Sequence, residues 1–414
     1  IGIMGNIKKV IIIGGGASGM VAAISASRNG AKAIIIEQLN RVGKKILATG
    51  NGRCNITNSR INIDRYHGKN PSFIHGALSQ FNKDDTIDFF ADLGLSFYEE
   101  DGKLYPASLQ ASSVIDVLRY EMQDLGIEEI CDSRVKSISA LDSGFEIKME
   151  DGRKIFGNKV IVATGGKANP GLGSNGSGYK LVKPFGHKII EPFPALVQLR
   201  LDAKFLKSLA GVKFFGEAAI RLKNKVLRRE RGEILFTSYG ISGPPIIQLS
   251  RCTGEQLSLG GEPSLTVNMF PGKDYEEVLN LLIRRNNLRE NKPLNHSFIG
   301  LINKRLINVL LKESGIEKFD MPCSVVKIED LKAIANKMAR WSFNIKGTQS
   351  WSDAQVTAGG VDVSHVNPET MESKLIPGIY FAGEILDIDG DCGGFNLQWA
   401  WSSGYVAGFH ASLI

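Results

Sequence analysis

The chain has 414 residues, of which 43% are hydrophobic and 22% charged, and carries a formal net charge of +7 at pH 7. That balance excludes a disordered or collagen-like chain, the length predicts two or three domains, and no apolar run nears the roughly 20 residues that span a bilayer, so no membrane partner is expected. The 50 Lys and Arg are dispersed among 43 acids, which reads as a solvated surface and not as a DNA-binding one.

Ile1–Asn6 is too short for a signal peptide, and Met4 is a candidate natural start. Lys8 to Ile13 reads as a fully buried parallel strand that runs into Gly14-Gly15-Gly16-Ala17-Ser18-Gly19, the pattern G-x-G-x-x-G. The small residues from Met20 to Ser27 predict a helix packed closely on a sheet and ended at Gly30, and Ala33–Ile36 predicts a second strand that delivers Glu37 and Gln38. Gly14 permits the tight turn, Gly16 lets backbone approach a pyrophosphate and Gly19 lets helix and strand pack. The helix start at Ala17 and Ser18 turns free N–H groups and a positive dipole end toward phosphate. Glu37, about twenty residues beyond Gly14, is placed to accept hydrogen bonds from ribose hydroxyls. An acid there argues against a 2′-phosphate, leaving FAD or NAD.

The segment Arg41 to Asn58, dense in Gly, Asn and basic residues, favours FAD, because an NAD fold has no need of it. In two-dinucleotide flavoproteins such a segment runs under the extended cofactor toward the isoalloxazine. Cofactor contacts are expected from Lys44, Lys45, Thr49, Gly50, Asn51, Gly52, Arg53, Cys54 and Asn55. The five Cys, at 54, 131, 252, 323 and 392, contain no CxxC pair, which fits a reduced cytoplasmic protein. Cys54 lacks the nearby second cysteine that disulfide reductases use and reads as a small packing residue. Arg53 has two open readings: a cation that stabilises anionic flavin or orients a substrate carbonyl, and a tie to a phosphate or carboxylate.

Ala111–Gly126 has helical spacing, with Val114, Val117, Leu118 and Met122 on one face. Alternating segments near Val135 to Ile138, Phe145 to Met149 and Lys154 to Phe156 predict a β-meander, with Val135 among the cofactor contacts. Val160 to Gly166 returns to the central sheet and brings Ala163, Thr164, Gly165 and Gly166 against the cofactor. Gly171 to Gly178 repeats the glycine pattern, but Asn169-Pro170 precedes it where a strand would be needed, so it reads as a substrate or flavin loop and not a separate NAD site. Pro192 and Pro194 mark a boundary. Short β-rich segments follow to about 272, with a hairpin near Lys223-Asn224-Lys225, then helical periodicity from Tyr275 to about Arg340. The expected organisation is an FAD-binding domain over 1–192 and 351–414, a β-rich insertion over 193–273 and 341–350, and a helical subdomain over 274–340.

Gly378 to Glu384 reads as a strand ending at Gly383 and Glu384, with Asp387, Asp389 and Asp391 on the loop beyond. The glycine and terminal glutamate of an EF-hand are absent, and the six His form no ligand cluster, so no metal is expected. Gly393 and Gly394 open a helix from Phe395 and Asn396 to about His410. Its N-terminus would face the pyrimidine end of the flavin ring and favour the reduced, anionic form. Trp399 and Trp401 read as packing residues of that helix.

The motifs GGGASG at 14–19, GKKILATGNGRCNITN at 43–58, LYPASLQASSV at 104–114, VIVATGG at 160–166, GEILFTSYGISGPP at 232–245, AQVTAGGV at 354–361 and the run from 370 to 408 resemble the HI0933-like family of flavoproteins, also called the BaiN-like or aminoacetone-oxidase-like group. The resemblance covers essentially the whole chain. It implies an α/β fold with a Rossmann-like, glutathione-reductase-like FAD domain, and hydride transfer between flavin N5 and a carbon of a small-molecule substrate. Two activities stay open: reduction of an activated C=C, as in 3-oxo-Δ4 steroids or bile-acid intermediates, and oxidation of small amines such as aminoacetone. The first is favoured, because the inserted domains have room for a sizeable apolar substrate and no aromatic amine cage is evident. An RNA-modifying flavoprotein and a non-turning-over sensor are the alternatives of other classes; the RNA reading expects Lys and Arg gathered on one surface. Tyr105 and Tyr239 are candidate proton donors. Electrons would come from transiently bound NAD(P)H or a redox partner, and nothing in the sequence sets an oligomeric state. Many members of the family carry His where this chain has Ser238, so no role of that His is transferred.

Overall fold

β-Branched runs with no charged residue inside them seek a sheet covered on both faces, and the first such run, Lys9–Ile13 (β1), has Val10, Ile11 and Ile12 fully buried. The computed structural model describes residues 8–413; the expectations for Ile1–Asn6 and Met4 lie outside them. Helix α1, Ala17–Arg28, leads from β1 to the parallel strand β2, Lys32–Ile36. Glu128–Ile130 (β3), Lys159–Val162 (β4) and Ile379–Phe381 (β5) complete a five-stranded sheet in the order β5-β4-β1-β2-β3, parallel throughout. An antiparallel meander of Val135–Leu141, Gly144–Met149 and Lys154–Gly157 lies beyond, in register from Leu141 opposite Gly144 to Gly157 opposite Phe145.

The final helix, α2, Phe395–Ser412, is buried on nearly every side and packs along α1. A Cβ at Gly404 would stand 2.4 Å from the Ser18 carbonyl oxygen, and one at Gly408 would stand 2.2 Å from that of Ala22. Two glycines one turn apart thus let the helix backbones touch. Ser25 Oγ closes the contact by donating to the Tyr405 carbonyl at 2.8 Å. Early and late segments of the sequence therefore form one compact unit, residues 1–193 with 355–414.

Residues 194–354 form a second unit. Its centre is a closed barrel ordered Leu199–Leu201, Gly240–Ser242, Lys225–Phe236, Lys213–Leu222, Pro263–Asn268, Trp341–Thr348. The two long strands meet in a hairpin whose two-residue turn, Lys223-Asn224, puts Lys223 at φ +54°. Helices Tyr275–Asn287, Lys304–Glu313 and Ile328–Ala339 share one apolar core with the barrel, in which Leu282, Leu310 and Met338 join Ile220, Phe236 and Trp341. Where the sequence reads as short β-rich segments, the structure has a 12-residue strand and a 15-residue helix, Pro244–Ser258. Pro244 and Pro245 occupy the first turn of that helix, where a missing N–H costs nothing, so the proline pair starts a helix instead of a turn. Among the described residues no helix is long and apolar enough to cross a membrane.

Candidate cofactor site

The turn after β1 is held from several sides. Gly14 has φ +105° and a Cβ there would stand 2.4 Å from the Ala163 carbonyl oxygen, so only glycine fits between β1 and the end of β4. Gly14 N–H donates to the Ile36 carbonyl at 2.8 Å. At the end of β2, Glu37 is buried and each carboxylate oxygen accepts one backbone N–H, Oε2 from Gly15 and Oε1 from Leu39, both at 2.8 Å. Burial pushes its carboxyl above the ordinary range, against the N–H groups of Leu39, Gly15 and Gln38 and the charge of Lys44. Lone pairs remain on both oxygens for hydroxyl donors. Gln38 ties the second glycine-rich loop to this corner, donating to the Gly173 carbonyl at 2.5 Å and accepting from Asn175 at 3.0 Å. Val135 begins the meander two residues after Ser133, whose N–H donates to the Glu37 carbonyl at 2.9 Å.

Beyond the helical turn Lys44–Ala48, the loop Thr49–Gly52 passes through left-handed backbone at Gly50 (φ 57°) and Asn51 (φ 55°), and Cys54 follows at φ 58°. Cys54 is fully buried, and burial pushes its thiol up to about 12, so it is inert at neutral pH. Arg53 lies over the Tyr105 ring, 4.4 Å from its centroid, with Nη2 3.4 Å from the phenol oxygen and Nη1 3.3 Å from Glu100. Of its two readings, the carboxylate tie is thus present in the fold, on a guanidinium that is still partly exposed. Burial pushes the Tyr105 phenol upward, helped by Glu100 and Cys392 and opposed by Arg53. It stays protonated at neutral pH and able to donate.

The late segments close the cradle. Glu384 joins three strands of chain: Oε2 pairs with Lys45 at 2.8 Å and lies 3.5 Å from Gly166 N, while Oε1 accepts from Thr357 N at 2.7 Å. Thr357 Oγ1 in turn accepts from the N–H groups of Lys167 and Ala168, fixing the loop after Ala163-Thr164-Gly165. Ser18 Oγ donates to the Ala382 carbonyl at 3.3 Å, so β5 and Gly383 lie against the start of α1. Asp387 accepts from Lys69 N–H at 2.9 Å, and Asp391 pairs with Arg65 at 3.2 Å and His67 at 2.8 Å. Asn396 exchanges two 2.8 Å bonds with Gly390, and Asn58 donates to the Gly393 carbonyl at 2.7 Å. Phe395 is buried edge-on to Tyr66. Trp399 and Trp401 are buried, with their indole N–H groups on the carbonyls of Gly383 and Ile56.

The first unit thus brings together the glycine turn, Glu37, the 49–55 loop, the 163–166 loop and the segment 383–396. Tyr239 lies in the second unit, in the turn before Gly240–Ser242, where its carbonyl accepts from Leu201 N–H. Sequence reading missed Gly15, Ser174, Ser403 and Thr357, which hold the machinery by hydrogen bonds, Thr357 by three of them. Thr357 stands inside the motif AQVTAGGV, the only signal that singled it out.

These residues fit a dinucleotide. Both α1 and α2 begin at a glycine, Gly16 and Gly394, with no side-chain cap, leaving their first N–H groups for an anionic or carbonyl partner. A Cβ at Gly16 would meet nothing within 4 Å, so backbone there is open to close approach, whereas one at Gly394 would stand 2.6 Å from the Thr57 carbonyl oxygen. Among the described residues of this unit four buried polar atoms have no protein partner, Asn55 Oδ1, Tyr179 Oη, His187 Nδ1 and His365 Nδ1; Asn55 lies in the 49–55 loop and Tyr179 directly after the second glycine-rich loop, where a ligand would supply the missing bond. Gly16, Ala17, Ser18 and Gly19 could hold a pyrophosphate, Glu37 a ribose, and the 49–55 loop with Gly394 a flavin ring.

A family model described as HI0933-like protein Rossmann domain matches residues 8–410. A 3-dehydro-bile acid delta(4,6)-reductase of Clostridium scindens is 39% identical over 403 residues, covering 97% of this chain and 98% of the relative. A ribosomal RNA dihydrouridine synthase of Escherichia coli is 33% identical over 402 residues, 96% of each chain. The solved 3-ketosteroid-delta4-(5alpha)-dehydrogenase of Rhodococcus jostii RHA1 aligns at a TM-score of 0.48 and 14% identity, over 100% of this chain and 98% of that one.

Proposed function

The chain belongs to the HI0933-like family and is an oxidoreductase, and from that premise we propose that it uses FAD to reduce a C=C bond conjugated to a carbonyl, as in a 3-oxo-4-ene steroid or bile-acid intermediate. The observation that carries the reading is the joining, in one unit, of two uncapped glycine-started helices, the Gly14 turn and the buried Glu37. When bound and reduced by NAD(P)H or a redox partner, the flavin would supply the hydride. Glu37 would orient the ribose, the start of α1 would hold the phosphates, and Asn55 Oδ1, which lacks a protein partner, would be free to accept a hydrogen bond from the flavin. Arg53 steadies negative charge that builds on the substrate carbonyl, and Tyr105 delivers a proton to the reduced substrate. The named activity of the 39% identical relative supports this substrate class.

A second reading has its own observation. Dihydrouridine is uridine reduced at C5=C6, a bond conjugated to the C4 carbonyl just as a 4-ene is to a 3-oxo group, so uracil in RNA poses the same chemical problem. The 33% identical relative supports it, as do cationic side chains gathered on one face of the barrel. To test both, photoreduced, FAD-loaded protein is mixed anaerobically with a 3-oxo-4-ene steroid or with ribosomal RNA, and the return of oxidised flavin absorption is followed. Return with either acceptor identifies the substrate class; no return with a panel of enones or with RNA refutes the proposal.

A further inference from the structure

The outer wall of the barrel carries a groove of about 690 Å³ whose lining is strongly cationic. Strand register explains how it arises. Outward residues alternate with core residues, so Arg229, Ala219, Thr266 and Ser342 stand in one row across four strands, with Arg231, Glu217 and Asn268 in the next. The floor is made of small or polar side chains, Ala219, Ser264, Thr266 and Ser342, and nothing large blocks it. Cations ring it: Arg221, Lys223, Arg229, Arg231, Lys273 and Arg340. Among the described residues, Arg221, Lys223, Lys273 and Arg340 have no carboxylate partner. The two acids of the lining are engaged. Glu217 is 14% exposed and shared between Arg229 and Arg231, whose side chains remain 60% and 58% exposed, and Asp274 caps the helix that begins at Tyr275.

We infer that this face is an RNA-docking surface. Four adjacent strands give a floor roughly 14 Å wide at about 4.8 Å per strand, broad enough for a nucleic-acid backbone to lie across. The Arg and Lys rim matches a row of phosphates. The hydroxyls of Ser264, Thr266 and Ser342 are suited to sugar hydroxyls. An acidic polypeptide would need apolar pockets for its anchoring side chains, and the floor has none. The inference deepens the RNA reading proposed above, and its test measures binding apart from turnover.

The test uses FAD-loaded full-length protein and a fluorescein-labelled ribosomal RNA hairpin, with anisotropy read between about 50 and about 200 mM KCl. Wild type is expected to bind with a log–log salt slope of several units. The variant Arg221→Ala/Arg229→Ala/Arg340→Ala should lose at least about tenfold in affinity and flatten the slope by about two to three. Arg231 is kept because Glu217 relies on it. A control with the same charge loss in the first unit, Arg119→Ala/Lys136→Ala/Lys148→Ala, should bind as wild type, and both variants should keep wild-type melting and enone reduction. Absence of salt-sensitive binding, equal weakening by both variants, or displacement of the RNA by polyglutamate at matched charge overturns the inference. Groove-dependent binding of RNA that is not reduced refutes the RNA-substrate reading and leaves the docking surface standing.

Discussion

Tyr105 is a buried phenol under a guanidinium, and the geometry separates its two partners' roles: Arg53 covers the ring while the phenol proton stays in place. Tyr105→Phe is expected to slow reoxidation of reduced protein by an enone roughly 10²-fold with FAD content unchanged, measured by anaerobic stopped flow. His187 gives a prediction about stability. Its Nε2 bonds Ser373 at 2.8 Å, Nδ1 has no partner, and burial, helped by the charge of His365, brings it down to about 4. Between about pH 6.5 and about pH 4 the unfolded chain binds a proton that the folded protein refuses. Stability is therefore full above 6.5, falls through that window by on the order of 3 kcal/mol, and levels off below it. Thermal melts across pH should show this fall, and His187→Gln should flatten it. Single residues were legible where a motif constrained backbone, as at Gly14 and Glu37. Glu384 was legible as a motif position, yet its brace across Lys45, Gly166 and Thr357 was not, because its partners lie far away in sequence.

Among the elements, β1, α1 and β2 could be read directly, since a buried strand, a glycine turn and a small-residue helix each leave a local pattern. β5 is three residues long and pairs with β4 more than two hundred positions earlier, and hydrophobic periodicity says nothing of such pairing. The same holds for α1 against α2, whose contact rests on Gly404 and Gly408. Gly408→Val should overpack that seam, lowering unfolding free energy by about 3 kcal/mol and weakening FAD retention, as read by urea titration and by flavin released on gel filtration. Tyr405→Val removes a ring stacked on Phe81 at 4.2 Å but leaves the backbone bond to Ser25, so it should cost stability without the loss of FAD retention expected of Gly408→Val.

For the whole molecule, the first unit is discontinuous, so chain ended before Phe395 should retain no FAD even where it remains dispersed, an outcome that the visible spectrum of purified protein checks. Charge is the property least legible at this scale. Cations at 221, 229, 273 and 340 look dispersed along the chain, and only barrel closure gathers them on one wall. The seam between α1 and α2 also sets an order of events. Ser25 and Tyr405 are 380 positions apart, so at about 5–20 residues per second a nascent chain exposes α1 for roughly 20–80 s before its companion emerges. On the FAD reading proposed above, cofactor can be loaded only after translation has passed α2, and until then the apolar face of α1 that α2 covers stands open.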